Sequence, residues 1–197
     1  MYGDVRKNVP ARTILIYINA PDDIGTWLAM PGVVIISYGM HFQDEKGNYY
    51  PWDASYEGKS AHPRSAGTRA KVLRMVREEK IMPLMEAISK MSYLHAKYLD
   101  ELAGISQFRT KGRVQEGADA DIVIFNPDTV TDNSTYEPGM GALPTTGMPY
   151  VLVNGVMVVK DSKVQKVFPG KPIRFPILAS GRLDQISIEP RTFDPNQ

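Results

Sequence analysis

His41, His62 and His95 are the only imidazoles in a chain that contains no cysteine. A transition-metal site needs three or four converging ligands and a second shell that orients them. No two of these histidines have the His-x-His or His-x-x-x-His spacing that would place both on one strand or helix face. His41 and His62 fall in the same long polar stretch and could meet there, with Asp44, Glu45 or Asp53 as a third ligand; ordinary loop histidines are the alternative. His95 lies beside the apolar face of a predicted helix, the usual place of a packing histidine. A thiol nucleophile is excluded by composition. Ser37 has no Gly-x-Ser-x-Gly frame, and neither phosphate-binding glycine motif occurs. Glu78-Glu79 and Asp119/Asp121 fit a solvated helix end and a turn better than an acid–base pair.

Two short stretches remain as candidates. Ser37-Tyr38-Gly39 directly follows the apolar run Val33–Ile36, and α/β folds place their chemistry at the C-terminal ends of parallel strands. His62-Pro63-Arg64 sets an arginine behind a proline in a loop, where its guanidinium could hold a carboxylate through two parallel hydrogen bonds. Strand-end and loop packing are the alternatives for both.

The elements that must position these residues follow from periodicity. Residues 13–18, Thr-Ile-Leu-Ile-Tyr-Ile, predict a strand buried on both faces, and Val33–Ile36 a second all-apolar strand. A short helix over Ile24–Met30, stopped by Pro31-Gly32, joins them into a βαβ unit. Residues 39–67 carry no apolar period but several aromatics, which suits a functional loop. Thr68–Glu79 and a second run from Pro83 through Tyr98 predict two amphipathic helices. Ile122–Phe125 predicts a strand, and residues 126–149 a long connection rich in proline, glycine and threonine. Asn154-Gly155 between Tyr150–Val153 and Val156–Val159 is a strong hairpin signal. Lys163–Val167 could add a strand, and the proline-rich tail from Phe168 suggests a surface arm. The fold class is therefore α/β up to about residue 103, then mostly β.

Composition narrows the partners. The 197 residues carry a formal net charge of +1, so nothing attracts nucleic acid or an anionic membrane. No stretch reaches the roughly 20 apolar residues of a membrane span. The first residues do not form a secretory signal, and the cytoplasm is the expected compartment.

Several blocks together resemble the N-acyl-D-amino-acid deacylases. His62-Pro63-Arg64-Ser65-Ala66-Gly67-Thr68 is similar to their His-Pro-Arg-x-x-Gly-Thr segment, and Met85–Met91 to the next helix. Lys111–Phe125, with Gly117-Ala118-Asp119-Ala120-Asp121 inside it, resembles their re-entry into a small β domain. Tyr150–Gly155 and Pro169–Arg174 resemble the closing hairpin and tail. The likeness runs from about Trp27 to Arg174, and its wording is nearest to N-acyl-D-glutamate deacylases.

The resemblance implies a (β/α)8 barrel with a β-sandwich built from both chain ends. It implies metal-dependent hydrolysis of the amide of an N-acyl-D-amino acid, with zinc as the family's metal. On this reading residues 1–103 are the C-terminal portion of the barrel, with an active-site loop at 39–67. Residues 104–197 are the C-terminal part of the sandwich and its tail. Arg64 takes the place of the carboxylate-binding arginine, with His62 beside it, and Val33–Ile36 that of the last barrel strand.

Two departures matter. The family has Ser-Asp-Gly or Ser-Asp-Ala where this chain has Ser37-Tyr38-Gly39. A phenol with a reference pKa of about 10 cannot replace a carboxylate of about 3.9 as a base at neutral pH. The family's metal ligands come from a His-x-His near the N-terminus and from mid-chain Cys and His residues, none of which this sequence contains. A full barrel also needs at least about 200 residues. The expectations are a deacylase portion inactive by itself and without metal, a missing N-terminal part of the barrel as partner, and self-association through open strand edges. The alternative is a non-catalytic ligand- or partner-binding protein derived from the end of that fold.

Overall fold

The structure is a computed structural model and describes residues 21–44, 46–59 and 61–175. The expected strand at 13–18 lies outside the described residues. Among the described residues four helices precede a small sheet: α1 (Pro21–Ala29), α2 (Arg64–Glu78), α3 (Leu84–Met91) and α4 (Tyr93–Glu101). A short 3-10 turn at Ser106–Thr110 leads to β1 (Ile122–Ile124), β2 (Tyr150–Val153), β3 (Val156–Lys160) and β4 (Lys163–Val164). The sheet is antiparallel throughout, in the order β1-β2-β3-β4.

Helix α2 is the central element. One side packs Val72 and Val76 against Ile35, Met82 and Ala87; another packs Ala70 and Leu73 against Val130. Burial of a large aliphatic side chain is worth about 1.5–3 kcal/mol, so these two clusters supply much of the adhesion. The arginines of α2 then bind what lies beyond the apolar stripe. Arg74 forks onto Asp132 at 2.7 and 3.4 Å, and Arg77 donates to the carbonyl oxygens of Val130 at 2.7 Å and Pro127 at 3.2 Å.

Residues 126–149 are therefore more than a connection. Thr131 and Thr146 pair as an isolated bridge, Ser134 Oγ donates to the Pro63 carbonyl at 2.9 Å, and Thr145 Oγ1 donates to the Ala66 carbonyl at 3.1 Å. These bonds clasp the first turn of α2. Gly67 lets the clasp come close, because a Cβ there would lie 2.5 Å from Ser134 Oγ.

The expected strand Val33–Ile36 is corrected. It carries no assigned strand and no strand partner among the described residues. Its Ile35 N–H donates to the Lys90 carbonyl at 3.0 Å, and its Ile35 carbonyl accepts from Arg69. Ile35 is buried, but Ile36 is 66% exposed, so the run is not covered on both faces. An apolar sequence specifies burial, whereas a strand also requires a neighbouring backbone in register.

The predicted long helix from Pro83 divides at Ser92. The Ser92 hydroxyl donates to the Ile88 carbonyl at 2.6 Å, and Ser92 leaves helical geometry at φ −141°, ψ −76°. Such back-bonding competes with the backbone ladder. Pro83 stands just before α3 as its cap residue, and α1 and α2 each begin a few residues earlier than predicted.

Lys90 escapes the apolar pattern, yet it is only 1% exposed. Its Nζ donates to the Leu28 carbonyl at 2.7 Å and the Met30 carbonyl at 2.8 Å, and pairs with Glu86 at 3.0 Å. A cation at the C-terminal end of α1 satisfies carbonyls that a helix end leaves open and complements its dipole. The hairpin, by contrast, forms as the sequence predicts. Asn154 and Gly155 adopt φ of +48° and +76°, the left-handed pair that a two-residue primed turn needs.

Candidate functional site

Tyr38, His62 and Arg64 come together beside the start of α2. Arg64 is the first helical residue, and the clasp from residues 130–146 holds that turn in place. The Tyr38 ring lies over the Arg64 guanidinium, 4.9 Å from ring centre to Cζ. Segment 37–40 is fastened to the same turn. The Met40 N–H donates to Ser65 Oγ at 3.0 Å, and the Gly39 N–H donates to Ser37 Oγ at 3.1 Å. Tyr38 has φ +47° and is 77% exposed, so its side chain stands on the surface and not in an enclosed cleft.

Arg64 has an unusual electrostatic setting. Its Nε is buried and has no hydrogen-bond partner among the described residues. Among the described residues no carboxylate pairs with the guanidinium, whereas Arg74, Arg77 and Arg109 all have acidic partners. A partly buried cation without an acceptor is costly unless a ligand supplies one.

His62 supports the backbone under Arg64. Its Nδ1 accepts the Arg64 N–H at 3.2 Å, which requires the neutral ring with its proton on Nε2. The other edge faces Tyr136, with ring centres 5.3 Å apart and near-perpendicular planes. Burial pushes the His62 imidazole below its ordinary value of 6.5, and the neighbouring Arg64 charge adds to this. Tyr136 carried no sequence signal, because only the fold of residues 126–149 over α2 brings it to His62.

The other candidates separate. His41 stacks edge-on against Tyr49 at 4.9 Å. Asp44 caps a turn, accepting the N–H groups of Lys46 at 2.9 Å and Asn48 at 2.8 Å. The Asn48 side chain and these N–H groups hold its carboxyl below the usual value of 3.8. His95 packs in the helical region with Nε2 buried; burial, and then the Arg69 charge, lower its pKa from 6.5. Asp119 and Asp121 both pair with Lys111, at 2.9 and 2.6 Å. Among the described residues no three His, Cys, Asp or Glu side chains converge as a metal site would require.

Both shifted histidines predict a pH dependence. Their folded-state pKa values are lowered from 6.5, so the unfolded chain takes up their protons first as the pH falls. Their contribution to stability is complete above the unfolded value and is lost as the pH falls through it toward the folded one. Thermal melts are expected to show a lower Tm at about pH 5.5 than at about pH 7.5. The pair of substitutions His62→Gln and His95→Gln should narrow that gap. An unchanged gap would assign the acid sensitivity to other groups.

No family model matches the chain. Over 98 residues it is 39% identical to the N-acyl-D-glutamate deacylase of Alcaligenes xylosoxydans xylosoxydans, covering 49% of this chain and 18% of that one. The N-acyl-D-aspartate deacylase of the same organism is 35% identical over 111 residues, covering 56% of this chain and 20% of the relative. Its D-aminoacylase is 39% identical over 104 residues, covering 51% and 19%.

Among solved structures, a D-aminoacylase superposes with a TM-score of 0.48 at 34% identity, covering 54% of this chain and 21% of that one. The N-acyl-D-glutamate deacylase of Bordetella bronchiseptica, complexed with zinc and a phosphonate inhibitor, gives 0.43 at 39% identity, covering 50% and 19%. The chain spans about a fifth of the length of the curated relatives it matches. About half of this chain is similar in sequence to a segment of these N-acyl-D-amino-acid deacylases.

Proposed function

We propose that this chain supplies the substrate-carboxylate grip of an N-acyl-D-amino-acid deacylase, with N-acyl-D-glutamate the favoured substrate. The observation that carries this is Arg64: a guanidinium with a buried, unpartnered Nε, no acidic neighbour among the described residues, and a ring stacked on its face. Stacking leaves the edges of the fork for a planar anion, and a carboxylate fits that edge with two parallel bonds. His62 fixes the backbone of Arg64 through Nδ1, so it is a positioning residue for the grip.

The described residues do not fit a zinc centre, since no three suitable donors converge. The metal that such hydrolases use must be held by ligands from outside this set, so no hydrolytic step is assigned to these residues. In the proposed architecture residues 1–103 belong to a (β/α)8 barrel and residues 104–197 to a β-sandwich. The passage from helices to an antiparallel sheet between Glu101 and Ile122 supports that division. The working partner is then the remainder of a barrel. By itself the chain is an inactive portion that forms a homo-oligomer; the cytoplasm is the proposed compartment.

A second reading has one specific observation in its favour. Tyr38, which by the resemblance takes the place of the family's aspartate, lies over Arg64, and this suits a protein that binds a carboxylate ligand without hydrolysing it. Joining the chain to the barrel portion of a homologous deacylase tests both. Arg64→Ala is expected to raise KM for N-acetyl-D-glutamate about 10- to 100-fold, the worth of charge-assisted bonds to a carboxylate. Equal KM values for the two forms would remove Arg64 from the substrate site.

A further inference from the structure

A cavity of about 690 Å³ lies between α3, the turn at residues 112–114 and strand β1. Its walls are apolar: Leu73, Met85, Ile88, Met91, Phe125 and Met148 line it. Neither Tyr38, His62 nor Arg64 contributes to it. The volume falls within the about 300–1,000 Å³ of small-molecule sites.

The charges at this groove are unequal. Arg69 and Arg113 line it, and so does one acid, Asp121. That acid is already engaged, accepting from Lys111 Nζ at 2.6 Å and from the Asn154 N–H at 2.8 Å. Arg69 donates to the Ile35 carbonyl and has no acidic partner among the described residues. Arg113 donates to the Lys111 carbonyl at 3.2 Å and lies over the Tyr93 ring at 5.2 Å, also without an acid. Burial lowers the Arg69 pKa, which reports a cation poorly served by solvent. His95, close enough for the Arg69 charge to act on it, is itself held toward neutrality by burial and by that charge.

An apolar trough with two arginines short of a counter-ion complements one kind of ligand. We propose that this groove is a binding site for an aliphatic carboxylate, with its hydrocarbon chain along the α3 and β1 walls and its head group on Arg69. The site is separate from the Arg64 grip and does not depend on it.

The test is calorimetric titration of the intact chain with octanoate and with 1-octanol, both below the concentrations at which they self-assemble. Octanoate is expected to bind saturably and at least about 10-fold more tightly than octanol, since the alcohol cannot form the charge-assisted bonds. Arg69→Met should abolish that preference. Because this change also removes the bond to Ile35, a second variant uses the exposed rim: Met85→Glu, at a residue 71% exposed, removes apolar wall for both ligands and should weaken octanoate about 10-fold more than it weakens octanol.

Arg64→Ala should bind octanoate like the parent chain, which separates failure of this inference from failure of the Arg64 reading. Equal binding of acid and alcohol, or loss of octanoate binding in Arg64→Ala alone, would overturn the proposal. So would a stable dimer by light scattering that binds no octanoate, because the groove would then be covered by a second copy.

Discussion

Tyr38→Asp is expected to raise kcat of the barrel-joined enzyme on N-acyl-D-amino acids by about 10²–10⁴-fold, the usual worth of a positioned acid–base group. The chemical argument is that amide hydrolysis needs a group that accepts a proton and later passes it to the leaving nitrogen. A phenol with a reference pKa of about 10 stays protonated at neutral pH and scarcely accepts. The conformational argument comes from the backbone. Tyr38 has φ +47°, a left-handed geometry that aspartate adopts more readily than a large aromatic residue, so the smaller side chain should be accommodated without rebuilding the loop.

The stack adds a consequence. With the ring removed from the Arg64 guanidinium, the new carboxylate stands near that cation and competes with substrate for it. KM should therefore rise modestly while kcat rises steeply. Measuring both at saturating metal separates the two effects. Unchanged kcat in the variant would mean that position 38 does not face the reacting amide, or that another group carries the proton.

Gly147→Ala is expected to lower the unfolding free energy by about 2–5 kcal/mol, from about 1–2 for an L-residue in the left-handed region and about 1–3 for an atom forced into a packed contact. Gly147 has φ +79°, and a Cβ there would lie 2.5 Å from Val130 Cα and 2.7 Å from Val130 N. Neither side can yield easily. Val130 is fully buried, and its carbonyl receives Arg77 from α2. The Gly147 carbonyl in turn accepts the Asn126 N–H at 2.9 Å.

The damage should reach the Arg64 region, because this segment carries the clasp on the first turn of α2. Urea unfolding of the two proteins checks the magnitude, and a difference below about 1 kcal/mol would show that the segment can shift away. Gly155 provides the contrast within the same molecule. Its φ is +76°, but a Cβ there would meet nothing nearer than the Ala120 methyl at 3.9 Å, so Gly155→Ala should cost only the conformational part.

Local chemistry was legible in the amino-acid order. The Asn154-Gly155 hairpin, the helices around residues 24, 70 and 88, and the strand at Ile122 follow from turn preference and apolar period, because neighbouring residues alone decide them. His62-Pro63-Arg64 could be singled out as a candidate carboxylate grip from its residue types alone. What the sequence could not determine depends on contacts between distant segments. Whether Val33–Ile36 becomes a strand depends on a neighbouring backbone, and Ile35 bonds to Lys90 and Arg69 instead.

Lys90 is polar by type, yet it is buried because two carbonyls at the end of α1 converge on it. Residues 126–149 have no period, yet they deliver Val130 to the core, Ser134 to Pro63 and Tyr136 to His62. The closeness of Tyr38 to Arg64 has the same origin. Each residue was a candidate by its own type. The stacking of one upon the other is set by the packing of segment 37–40 on the first turn of α2, an interaction between stretches far apart in the chain that only tertiary structure can supply.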